Sequence, residues 1–180
     1  MLGLSKRRAA AVLDRNVEVF RRAGYREADR PDPLVARLEA PAGKQPLVLR
    51  MASEGRIFGG TYAFEIATAE PVLPRTRGIS ARGRGVVRLS SFSFRARRGD
   101  SEGSRLAQRL AGDRQLTDEL KDVHFERVRV DADGRAVIRH MGGSLVWILF
   151  PPLVRPVPFI DAQAQATLRA LDAFARAGRM

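Results

Sequence analysis

The apolar residues of this chain change their spacing twice, and that change limits the fold more than any other feature. Near one end Ala10, Leu13, Val17 and Phe20 recur three or four apart, and near the other Ala164, Leu168, Leu171 and Phe174 do the same. Such spacing places each set on one stripe of a helix. Between them the period falls to two. Tyr62, Phe64 and Ile66 alternate with Thr61, Ala63 and Glu65, the pattern of a strand buried on one face. Amphipathic helices and a half-buried sheet must cover one another, which points to a layered α+β fold.

Punctuation residues divide the chain further. The first helix is expected over 6–23, with Ser5 as its cap and Gly24 ending it in the left-handed conformation. Strands over 35–39 and 47–51 flank the turn-forming segment 41–46, and Pro71 and Pro74 break the chain after the strand at 61–68. The Gly- and Arg-rich segment 78–85 reads as a connector into a strand over 86–96. There the apolar parity switches from Val87 and Leu89 to Phe92 and Phe94, suggesting a bulge near Ser90 and Ser91. Residues 104–121 read as two short helices or one bent one, interrupted at Gly112 and Asp113. Asp131-Ala132-Asp133-Gly134 closes a hairpin between strands at 123–130 and 135–141. Gly142, Gly143 and Ser144 read as a turn into an apolar strand at 145–150, and a last helix starts at Asp161 and stops before Gly178. The expected architecture is a mostly antiparallel sheet packed with N-terminal, middle and C-terminal helices, in one domain over residues 1–180.

Composition narrows the function classes. A chain of 180 residues with 44% hydrophobic residues can bury a core. The lack of cysteine removes disulfides, thiolate nucleophiles and Cys-ligated zinc. The apolar run after Lys6, Arg7 and Arg8 ends at Asp14, too short for an export signal, so a cytoplasmic location is expected. The P-loop is not matched by Ala42-Gly43-Lys44-Gln45, no Gly-rich dinucleotide fingerprint opens a helix, and no nucleophile elbow appears. The sequence implies no cofactor.

Charge is the strongest local anomaly. The formal net charge is +12, and all the basic residues except Lys6, Lys44 and Lys121 are arginines. GC-rich coding explains arginine over lysine but not the excess of basic over acidic residues. Residues 71–99 hold no Asp or Glu, yet they contain Arg75, Arg77, Arg82, Arg84, Arg88, Arg95, Arg97 and Arg98. The planar guanidinium fork matches phosphate and carboxylate oxygens, so this strip is a candidate site for an anionic ligand or nucleic acid. The competing expectation is a solvated face neutralised by Asp113, Asp118 and Glu119. Phe92, Phe94 and Tyr62 offer stacking surfaces, but their strand positions make them core residues first. No helix-turn-helix, zinc-finger or RNP-like pattern accompanies them.

The second candidate follows from hairpin register. With Asp131 opposite Arg135, Val130 faces Ala136, Val128 faces Ile138 and Glu126 faces His140, and His124 lies one pair further along the same face. Two imidazoles and a carboxylate are a possible metal site or acid–base group, although a one-residue slip would separate them. The third candidate is the apolar, proline-rich stretch 144–160. It is too short to span a bilayer and is broken by Pro151, Pro152, Pro156 and Pro158. If Leu153, Val154, Val157 and Phe159 are exposed, they offer a homo-oligomer interface. The favoured reading is a non-enzymatic module that binds an anion through the arginine strip. An enzyme or metal protein using the histidine face, and a subunit docking through the proline-rich loop, are the alternatives.

Overall fold

The computed structural model describes residues 2–56, 59–84, 91–148 and 153–179, with side chains at 5–55, 59–81, 92–148 and 153–179. Among these residues the chain runs α1 (Leu2–Arg22), β1 (Arg26–Asp32), β2 (Val35–Glu39), β3 (Leu47–Arg56), β4 (Gly59–Thr68), β5 (Ile79–Arg84) and β6 (Ser91–Ala96). It continues through α2 (Ser101–Gly112), α3 (Arg114–Asp122), β7 (Phe125–Val130), β8 (Ala136–Ile148), β9 (Leu153–Pro156) and α4 (Asp161–Arg179). The strands form one antiparallel sheet in the order β1-β2-β3-β4-β8-β7-β5-β6, and β9 pairs with the far half of β8. The α+β architecture with helices at both ends and in the middle is the one the sequence predicts. No helix among the described residues is long and apolar enough to cross a membrane.

Alternation along the strands gives the sheet two unlike faces. One carries Leu38, Leu49, Phe64, Ile66, Ile138, Val128, Ile79 and Phe94, all buried in one core with Leu13, Phe20, Leu110, Leu171 and Phe174 of the helices. Rings tie the layers together: Phe94 meets Phe174 edge-on at 6.3 Å, and Phe159 lies between Phe20 and Phe64 at 5.9 and 5.0 Å. The helix stripes at 10–20 and 164–174 therefore face the sheet as expected. The other face carries Arg50, Glu65, Arg139, Arg127, Arg129, Ser80, Arg95 and Arg97, the partners of the buried residues in the two-residue repeat. Among the described residues no helix covers it.

Several local expectations change. The helix α1 begins before Ser5, so Ser5 lies inside it rather than capping it. The polar edge strand β1 is an addition, and the supposed connector at 78–85 is largely β5. The parity switch near Ser90 and Ser91 falls mostly on residues outside those described. Asp113 splits the middle helix in two, accepting a hydrogen bond from the Leu116 N–H at 3.0 Å to cap α3.

The supposed turn at 142–144 is a bulge inside the single long strand β8. Phe64 pairs with His140 and Tyr62 with Leu145, so residues 141–144 all stand against Ala63. Gly143 sits there at φ +75, where a Cβ would come within 2.6 Å of the Phe64 ring. Its carbonyl accepts from Asn16 Nδ2 at 2.9 Å, and the Ser144 hydroxyl accepts from the Phe64 N–H at 3.1 Å. The bulge is thus fixed by α1 and β4 rather than by local turn chemistry.

Candidate arginine-lined anion site

The open face is organised around one buried carboxylate. Arg50 on β3, Glu65 on β4, Arg139 on β8 and Arg127 on β7 form a continuous row of cross-strand partners. Glu65 is only 2% exposed and Arg139 only 8%. Arg139 donates from Nε and Nη2 to Glu65 Oε1 at 2.9 and 2.7 Å, and Arg50 Nε donates to Oε2 at 2.7 Å. Arg129 Nη2 reaches the same Oε2 at 3.4 Å, and Arg139 also pairs with Glu54. Burial alone would raise the Glu65 pKa, but the hydrogen bonds from Arg139 and Arg50 and the charges of Arg50 and Arg129 outweigh it, holding the carboxyl below its ordinary range.

Beside this network the sheet forms a trough of about 790 Å³. Its floor is the start of β5, where Ser80 and the preceding Gly78 put little bulk above the backbone. Arg95 of β6 and Arg97 just after it rise on one side, Arg127 and Arg129 of β7 on the other, and Arg77 stands at the end. The Arg77 N–H donates to Asp100 Oδ2 at 2.7 Å, and Asp100 also caps α2 through the Gly103 N–H at 2.8 Å. Those two backbone donors, Gly103 first, together with the nearby charge of Arg77, outweigh burial and hold the Asp100 carboxyl below its ordinary pKa. Among the described residues no carboxylate forms an ion pair with the guanidinium of Arg77, Arg95, Arg97 or Arg127. Two acids do line the trough. Glu126 leans toward Arg139, 4.0 Å away, and Asp131 Oδ1 accepts the N–H groups of Asp133 and Arg135 within its turn.

The strip read from the sequence is therefore only partly the site. Arg77, Arg95 and Arg97 line the trough, whereas Arg75 and Arg98 are exposed outside it. The side chains of Arg82, Arg84 and Arg88 lie outside those described. Arg127 and Arg129 join from a strand some thirty residues further along, which a search for runs of charge passes over. Hairpin alternation was the signal that would have found them, because Val128 and Val130 point inward. The acids expected to neutralise the strip are engaged elsewhere: Asp113 caps α3, Asp118 holds Lys121 at 2.6 Å, and Glu119 holds Arg169 at 2.8 Å. Phe94 and Tyr62 are buried on the helix side, and half-buried Phe92 packs on Phe125 at 5.7 Å, so they are core and not stacking platforms.

The histidine constellation does not assemble. The hairpin keeps the expected register as far as Arg127 opposite Arg139, but Glu126 is an extra residue in a bulge, and Phe125 takes the place opposite His140. His140 is fully buried beneath the helices, His124 is exposed, and Glu126 lies on the arginine face. Among the described residues no group of three His, Asp or Glu side chains is placed to hold a metal. The proposed oligomer surface also changes. Leu153 is 47% exposed, but Val154 is partly buried against the core and Phe159 is buried between Phe20 and Phe64.

Residues 20–177 match the family model described as "Protein of unknown function (DUF3156)". The chain belongs to this family. The match takes in every described strand, α2, α3, all but the last two residues of α4 and all the trough residues, so the arginine-lined trough lies wholly within the DUF3156 region. No curated protein and no solved structure matches the chain.

Proposed function

We propose that this DUF3156 protein is a non-enzymatic module that binds the phosphate backbone of nucleic acid along the open face of its sheet. One observation carries the reading: four exposed arginines, Arg77, Arg95, Arg97 and Arg127, surround a trough without a carboxylate ion pair among the described residues. Leaving like charges side by side costs free energy, and a polyanion that displaces counterions removes that cost. Phe92, Phe94 and Tyr62 are turned to the core, so none of those three rings is offered to bases. Binding of this kind follows the backbone and is indifferent to sequence. The titratable groups along the trough, arginines with Glu126 and Asp131, include no nucleophile paired with a base, which favours binding over catalysis.

A labelled duplex oligonucleotide, with heparin as competitor, tests the reading. About four phosphate contacts predict that affinity falls about a hundredfold between 50 and 200 mM salt. Arg95→Ala with Arg127→Ala should weaken binding equally for unrelated sequences and flatten the salt dependence by about two contacts. No binding at low salt, or affinity unchanged in the double variant, would remove the hypothesis.

A further inference from the structure

We infer that the outer edge of β6 takes an added strand, an extended acidic peptide seated between this edge and α2. β6 ends the sheet, and among the described residues no strand pairs with its outer side. An edge strand turns alternate backbone N–H and C=O groups outward, and native proteins blunt such edges with proline, irregular pairing or shortness. The other edges carry those devices. β1 contains Pro31 and two breaks in its register with β2, and β9 has only four residues and ends at Pro156. β6 has no proline and pairs with β5 from Ser91 to Ala96 without a break. It is a regular template with one side open. The helix α2 stands along it. A Cβ on Gly103 would come within 3.1 Å of the Ala96 Cβ, and a groove of about 440 Å³ continues between the two elements as far as Ala111 and Phe92. From Gly103 to Ala111 the helix rises about 12 Å, and from Ala96 to Phe92 the strand spans about 13 Å, so the two run side by side in opposite directions. Ser104, Gln108 and Ala111 are exposed in the helix wall, which leaves the groove open to solvent.

Charge decides the occupant. Along β6 the side chains alternate, with Phe92, Phe94 and Ala96 on the helix side and Arg95 on the open face, where Arg97 follows it. A strand added at the edge sets its own alternate side chains beside these two rows. Its apolar set lies next to Phe92 and Phe94 under α2. Its other set lies next to Arg95 and Arg97, neither of which has a carboxylate ion pair among the described residues, so acidic side chains belong there. A second copy of the chain is the poorer occupant. Two β6 edges joined in one sheet would bring Arg95 and Arg97 of both chains onto one face, in proteins of net charge +12.

The probe is a labelled peptide of about eight residues alternating glutamate and valine, titrated against the intact protein by fluorescence anisotropy. Three relatives accompany it: one N-methylated on its glutamates, one N-methylated on its valines, and one with lysine in place of glutamate. An added strand pairs through the N–H groups of every second residue, so only one of the two N-methylated forms should lose binding, by about thirtyfold. The lysine form should bind about tenfold more weakly than the glutamate form. Ala111→Trp fills the groove from an exposed position outside the trough, so it should block the glutamate peptide and leave oligonucleotide binding as it was. If both N-methylated forms bind like the parent or both lose binding equally, or if Ala111→Trp leaves the peptide affinity unchanged, no strand is added at this edge and the inference is overturned. Absence of binding by the glutamate peptide overturns it as well, and self-association that Ala111→Trp abolishes would then assign the edge to a second copy.

Discussion

Replacing Glu65 by Ala is expected to lower the free energy of unfolding by about 3 kcal/mol, because it strands Arg139 in a site that water barely reaches. Removing one partner of a buried ion pair typically costs about 3–5 kcal/mol. The lower figure applies here since Arg139 keeps Glu54 and has Glu126 at 4.0 Å. Arg50 and Arg129 are themselves partly solvated, so losing the same carboxylate costs them much less. The double change Glu65→Leu with Arg139→Met removes both buried charges and should recover most of the loss, since an apolar pair of similar volume needs no partner. Urea unfolding midpoints of the two variants check this. An unaltered midpoint in Glu65→Ala would mean that the network is solvated and does not organise the open face.

What the sequence makes legible is what local chemistry decides. The hairpin at 131–135 could be counted because Asp131 and a left-handed Gly134 fix the turn, and the first pairs outward, Val130 with Ala136 and Val128 with Ile138, follow. Beyond Arg127 the count fails at a bulge, and a one-residue displacement is enough to put Glu126 and His140 on opposite faces. The strand β1 escapes notice because Arg26–Asp32 is a polar edge strand held by backbone pairing to β2, with no alternation to betray it. The strand β5 escapes because glycine and arginine have little strand preference of their own, and it forms because β6 and β7 pair with it on both sides. The trough belongs to the same class. Five arginines from three segments meet only through sheet order, so the charge strip signalled three of them and the topology supplied Arg127 and Arg129.

Acid is expected to destabilise the protein in two stages, the first of them through His140. The ring is buried among Phe64, Phe159 and Thr167, with Nε2 3.1 Å from the Thr167 hydroxyl. That hydroxyl already donates to the Gln163 carbonyl at 2.7 Å, which leaves Nε2 as the donor in its contact. Burial pushes the His140 pKa down to about 4 from its ordinary 6.5. The nearby His124 carbonyl opposes the shift only in part, and the His124 charge adds to it. In the unfolded chain the imidazole takes up its proton near pH 6.5, so between 6.5 and about 4 the unfolded state binds more protons than the folded one. Stability from this source is complete above pH 6.5 and falls through that window by about 3 kcal/mol. The second stage begins lower. Because the folded Glu65 carboxyl is held below its ordinary range, its contribution is present above the usual carboxylate pKa and is lost only as pH drops further. In His140→Leu, which fills the site with an apolar group, unfolding free energies measured from about pH 7 to about pH 2 should lose most of the first slope while the second remains. An equal slope in the variant would place the acid sensitivity elsewhere.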